Sequence, residues 1–284
     1  QAAGAGRDDG SDRLFRQGLT MGALDRIFRR RQDSQRPLES YVKGLFAAGE
    51  QGGWYDPSNL STLFQDPAGT TPVTAAGQPV GLMLDKSGRG NHFVQSTVTS
   101  RPVLGLDSDG RNYLNFDGVD DFMLVPIFDL SSTGKLIVAA GIKKNSDTSS
   151  AILLEHSENI NQNFGAFYLT APENTGASSD YRFRSQGSVV SPAAASTGTA
   201  LSAQKHVVVG VADVSAPLKA VRLNGVLKES STQLQGAGGF GAHAMYLGRR
   251  GGTSLPFKGR LYGLVIRGAA TPDPTISRVE RYLN

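Results

Sequence analysis

Cysteine is absent from the 284 residues, so disulfide staples and thiolate nucleophiles are excluded. That absence leaves the redox compartment unreadable. No apolar run approaches the roughly 20 residues a helix needs to cross a bilayer. The opening QAAGAGRDDGSDR lacks the charged-then-apolar order of a secretory leader, and a start on Gln1 points to a processed end. Histidine is scarce: His92, His156, His206 and His243 are scattered, with no spacing that suits a metal or a catalytic triad. No Gly-x-Ser-x-Gly elbow and no phosphate-cradling glycine loop occurs. Tryptophan occurs once, at Trp54, beside Tyr55 and the turn pair Asp56-Pro57.

Net charge is a mild +4. Locally RIFRRR crowds Arg26, Arg29, Arg30 and Arg31 together. Such a cluster is either the solvated face of a helix or a patch that meets an acidic partner, and it lacks the interleaved aromatics that would argue for nucleic acid. What the chain does hold is 39% hydrophobic residues and 35 glycines, the mix of a β-rich globular protein with many turns.

Two periods divide the sequence. Over residues 12–49 the apolar positions repeat every three or four residues. Met21, Leu24, Ile27 and Phe28 form one stripe, and Leu38, Tyr41, Val42, Leu45 and Phe46 form a second. Pro37 suits the first turn of that second helix, and Gly49 is a fitting left-handed stop. Neither short helix can bury its stripe alone. After Gly49 the period becomes two. KLIVAAGI, KHVVVGVAD, KAVRLNGVLKE, HAMYLGR and RLYGLVIRG read as strands, and Asn224-Gly225 reads as a type I′ hairpin turn. SPAAASTGTA reads as a loop. Residues 271–284 close the chain as a helix, with Asp273 as cap and Ile276, Val279 and Leu283 on one face. The expected fold is all-β, a two-layer antiparallel sandwich over 51–284 preceded by a helical arm over 1–50.

LDKSGRGNH (84–92), YLNFDGVDDFMLVP (113–126), the VRLNGVL hairpin and the closing strand-and-helix segment together resemble a laminin-G-like, concanavalin A-type jelly roll. The segment from Leu45 to His92 resembles a leader found ahead of such sandwiches in virion proteins of tailed bacteriophages. That resemblance implies a structural or binding protein of the phage particle, on tail, collar or capsid surface. It would be present in multiple copies, docked on other virion proteins by the arm and presenting its jelly roll to host glycan or to neighbouring subunits. The alternative is a secreted carbohydrate-binding module or a glycan-active enzyme.

Glycan hydrolysis needs two carboxylates flanking the bond, and the catalytic jelly rolls carry a Glu-x-Asp-x-Glu type of strand that is missing here. Glu155 and Glu158 come nearest, and on a strand their spacing sets them on opposite faces. The expectation is therefore a protein that is not an enzyme. Calcium is the candidate ion, with oxygens from Asp85, Asn91, Asp117, Asp120 and Asp121. The same residues could instead organise turns. Tyr181, Arg182 and Arg249, on polar loops rich in glycine and serine, are the candidate glycan contacts. Partner docking is assigned to Arg26, Arg29, Arg30, Arg31 and to the stripe Leu38, Tyr41, Val42, Leu45 and Phe46. Trp54 is expected to fill core, with a sugar platform as the other reading.

Overall fold

The computed structural model describes residues 37–174, 179–190, 194–200, 202 and 204–284. The Arg26–Arg31 cluster and the first expected helix lie outside these residues. Residues Leu38–Asn284 form one compact unit.

That unit is an all-β sandwich of two antiparallel sheets. One sheet has eight strands: β1 (Gln51–Tyr55), β5 (Val103–Leu106), β6 (Asn112–Asp117), β8 (Lys135–Lys144), β13 (Lys205–Asp213), β14 (Leu218–Leu223), β15 (Val226–Ser231) and β17 (Lys258–Gly268). Its order is β15-β14-β13-β8-β17-β6-β5, with β1 pairing the far half of β17. The other has nine: β2 (Leu63–Phe64), β3 (Leu82–Met83), β4 (Phe93–Val94), β7 (Met123–Asp129), β9 (Ile152–His156), β10 (Ala166–Asn174), β11 (Ser179–Gln186), β12 (Ala195–Thr199) and β16 (Ala242–Leu247). Its order is β12-β11-β10-β9-β16-β7-β4-β3-β2. The β14–β15 hairpin turns through Asn224 at φ 50° and Gly225 at φ 83°, as its Asn-Gly pair requires. β12 lies within SPAAASTGTA, so the loop expected there is in part an edge strand.

Alternation decides which layer each side chain joins. On β8, Leu136, Val138, Ala140 and Ile142 enter the core between the sheets, while Ile137 and Ala139 point to the opposite side. Both sides are buried, which is why KLIVAAGI reads as a continuous apolar run. The cover on the second side is helical. Helix α1 (37–44) and helix α2 (Asp273–Leu283) pack there, giving a cluster of Val42, Phe46, Trp54, Ile137, Ala139, Val207, Val209, Val265, Ile276, Val279 and Leu283. The residue before α2, Pro272, occupies the cap position without a side-chain bond, so Asp273 is the first helical residue and not the cap.

This packing corrects the docking assignment for the second stripe. Val42 is fully buried, Phe46 nearly so, and Leu38 and Leu45 pack against the same cluster. The stripe finds its cover within its own chain, so α1 belongs to the sandwich and not to a separable arm. Polar contacts fix it there. The Leu45 and Phe46 carbonyls at the helix end accept from Arg267 Nε at 2.9 Å and an Arg89 terminal nitrogen at 3.0 Å. Lys86 Nζ donates to Glu39 Oε1 at 2.6 Å and to Asp56 Oδ2 at 3.1 Å. Trp54 is core, as expected. Its ring meets Tyr282 edge-on, its Nε1 donates to the Tyr282 hydroxyl at 3.1 Å, and Lys86 lies over its face.

Candidate functional site

The outer side of the nine-stranded sheet has a different character. Register places Arg184 (β11), Tyr168 (β10), Glu155 (β9), Tyr246 (β16) and Leu124 (β7) in one row across adjacent strands. Their neighbours in sequence, Phe183, Phe167, Leu169, Leu154, Met245 and Leu247, all face the core. The row is therefore the outward set of each strand. It is polar and aromatic where the corresponding row on the other sheet is aliphatic.

β9 ends at His156, and residues 157–163 fold back over this row. The Ile160 N–H donates to Glu155 Oε1 at 2.7 Å. Gln186 Nε2 donates to the Ile160 carbonyl at 2.6 Å and the Asn163 carbonyl at 2.8 Å. From the other flank comes the turn after β16. Arg250 Nε donates to Glu155 Oε2 at 2.7 Å, and Gly251 lies so close that a Cβ on it would come within 3.0 Å of the Glu158 carbonyl. Arg184 and Arg250 both sit over the Tyr168 ring, at 5.9 Å and 5.7 Å from its centroid.

Electrostatics follow from this enclosure. Burial pushes the Glu155 carboxyl above its ordinary range, against the downward pull of Arg250 and the Ile160 N–H. Burial also raises the Tyr246 hydroxyl, and the charge of Glu158 raises it further. Glu158 thus acts on a side chain of the Glu155 row. The strand-spacing argument that set the two glutamates on opposite faces fails because the strand stops between them. A buried carboxylate held by Arg250 and the Ile160 N–H, with two tyrosines and two arginines around it and the exposed Glu158 close enough to act on Tyr246, forms a set able to hold a polar ligand.

The remaining expected residues divide. Tyr181 is fully buried on the inward side of β11 and shares a hydrogen bond with His206 Nδ1 at 2.9 Å, so it is core and not a ligand contact. Arg182 lies on the outward side and donates to Asp180 Oδ2 at 2.8 Å. Arg249 donates to the Thr253 carbonyl within its own turn. Asp117, Asp120 and Asp121 come together, with one oxygen of each within 4.8 Å of the others, and they are the residues that could hold a cation. Burial, joined by the charges of Asp117 and Asp120, raises Asp121 to about 7. Asp85 and Asn91 do not join them. The Asp85 carboxylate accepts from Trp54 N, Ser87 N, Ser87 Oγ and Asn91 N, and the Asn91 amide donates to the Gly52 carbonyl. They organise a turn, which removes them from the calcium assignment.

No family model matches the chain, and no curated protein matches it in sequence. Solved structures do match. An arabinofuranosidase complexed with arabinofuranosyl-α-1,2-xylobiose gives a TM-score of 0.60 at 14% identity, over 85% of this chain and 64% of that one. Domain 4 of a GH43 extracellular arabinanase from Geobacillus stearothermophilus, in complex with arabinotriose, gives 0.53 at 16% identity, over 81% and 98%. A Trypanosoma rangeli sialidase in complex with the inhibitor DANA gives 0.51 at 15% identity, over 79% and 36%. At such identities the likeness is one of fold. The chain spans less than two thirds of the arabinofuranosidase and sialidase chains it matches. These matches overturn the expectation that the chain is not an enzyme. The solved structures that share this fold come from glycoside hydrolase chains, so the fold gives no support to that expectation.

Proposed function

We propose that the chain is a glycan-active protein, with the outward row of the nine-stranded sheet as its saccharide-binding face and the exposed Glu158 as the carboxylate that acts on the glycan. The observation that carries this reading is the Arg184–Tyr168–Glu155–Tyr246 row, joined by Glu158 where β9 ends. Tyrosine rings and arginines offer a sugar both stacking and hydrogen bonds. Glu155 is fully buried, with one oxygen on the Ile160 N–H and the other on Arg250, so it anchors the two turns that frame the face, and the exposed Glu158 is the carboxylate suited to act on a glycosidic bond. The fold likeness to glycoside hydrolases and to an arabinotriose-bound arabinanase domain supports the same reading. Within it, the sandwich is taken as the laminin-G-like, concanavalin A-type jelly roll that the chain resembles.

The test is release of reducing ends from arabinan, arabinoxylan and bacterial surface polysaccharides by the full chain. Glu158→Gln should lower the release about 100-fold or more. Neither release nor binding across these substrates would reject the reading. Placement on a tailed-phage particle rests on the resemblance of the Leu45–His92 leader, and immunogold labelling of particles tests it independently.

A further inference from the structure

Arg184 is an unusual group to find beneath a turn. Its residue is only 7% exposed, yet among the described residues no carboxylate pairs with it. Its terminal nitrogens donate to neutral acceptors, Asn161 Oδ1 at 2.8 Å and Gln186 Oε1 at 3.0 Å. Its Nε is buried with no hydrogen-bond partner among the described residues. Glu155, on the same row, gives one oxygen to the Ile160 N–H and the other to Arg250, so it acts on Arg184 through its charge and makes no bond to it. A buried guanidinium with no carboxylate bonded to it and with an orphaned donor is costly to keep, and a ligand anion would relieve both deficits.

We propose that Arg184 is the anion-recognising residue of this face, and that the glycan taken there carries an acidic group, a carboxylate or a sulfate ester. This rests on the reading of the outward row as a saccharide face and names the class of sugar it selects. The guanidinium fork matches the paired oxygens of either group. Asn161 lies on the exposed turn 157–163, and its amide oxygen holds the place on Arg184 that an anionic oxygen would take. The ligand therefore displaces a neutral side chain from a cation and need not build a new pocket. Tyr168, with Arg184 and Arg250 near its ring, then lies beside the acidic sugar.

Calorimetric titration of the full chain with three probes tests this: a neutral arabinan oligosaccharide, an oligogalacturonate, and a carrageenan oligosaccharide whose only charges are sulfate esters. At least one acidic probe should bind roughly 30-fold or more tighter than the neutral one, and added salt should weaken that binding. The two acidic arms separate carboxylate from sulfate. Arg184→Gln should abolish the preference. Asn161→Ala, a change on an exposed turn that leaves Arg184 in place, should tighten the acidic probe a few-fold; this arm keeps the test decisive if the buried substitution fails to fold. Equal binding of neutral and acidic probes, a preference that survives Arg184→Gln, or a weakened acidic probe in Asn161→Ala would overturn the proposal. Equal binding of neutral and acidic probes that is lost on Tyr246→Ala would overturn it while leaving the saccharide face intact. Binding of no probe would reject both.

Discussion

The two outward sides of this sandwich are covered in opposite ways. Over the eight-stranded sheet, α1 and α2 lay aliphatic and aromatic side chains on Ile137, Ala139, Val207, Val209 and Val265. Over the nine-stranded sheet, a turn lays backbone and amide groups on Glu155, Arg184 and Gln186. Apolar cover contributes stability in proportion to the area removed from water, about 1.5 to 3 kcal/mol for each large side chain. Polar cover contributes little net, because each bond made replaces one to water. One side is therefore held by apolar burial, and the other by hydrogen bonds and an ion pair between sheet and turns.

If that division is right, the two sides respond differently to substitution. The largest effect is expected from a chain beginning at Gln51, which loses Val42 and Phe46 from the helical cover and leaves Trp54 open. Its thermal midpoint should fall steeply; an unchanged midpoint would mean that α1 is not part of the folded unit. Trp54→Ala should cost about 3 to 5 kcal/mol in urea unfolding, since it removes the largest member of the cluster and the partner of Tyr282.

Between the two covers lies a group that reports on the core beneath Glu155. His156 is fully buried, stacks on Phe167, and donates from Nε2 to the Phe128 carbonyl. Burial lowers it to about 3. The unfolded state then binds a proton near pH 6.5 that the folded state refuses. Its contribution is present above pH 6.5 and is lost as pH falls toward 3, by roughly 3 kcal/mol at pH 4. Unfolding free energies at pH 7 and pH 4 should therefore converge in His156→Leu. An identical pH slope in that variant would show that another group controls acid stability.

The smallest stability effect belongs to the polar side. Glu158→Gln should leave unfolding within about 0.5 kcal/mol of the parent while removing glycan release. A large loss of stability with activity kept would reverse the assignment of the two sides.

The parts of this arrangement that sequence made legible are those governed by local period. Alternation located β8, β13, β14, β16 and β17, Asn224-Gly225 located the hairpin, and Ile276, Val279 and Leu283 located the inward face of α2. Non-local facts were not legible. The Leu38–Phe46 stripe announces that a cover is needed but not whose. Only the fold shows that Ile137 and Val209 present an apolar outward surface to receive it. The outward row was not legible for a similar reason. The alternation Asp180, Arg182, Arg184 and Gln186 was there to be read as one face of β11, but Tyr181 stood out as the aromatic and proved to face inward. The glutamates were set aside by a strand geometry that ends at His156. Strand termini are set by where neighbouring strands stop pairing, which no window of residues reveals.

A crystal of the full chain soaked with oligogalacturonate and, separately, with arabinan oligosaccharide tests the central claim most directly. The account predicts sugar over Tyr168 and Tyr246, with an oxygen of the bound glycan within hydrogen-bonding distance of Glu158 and turn 157–163 displaced from Arg184 in the acidic case. Sugar seated instead at Asp117–Asp121 or on the β15 edge, with the Arg184–Tyr246 row bare, would contradict it.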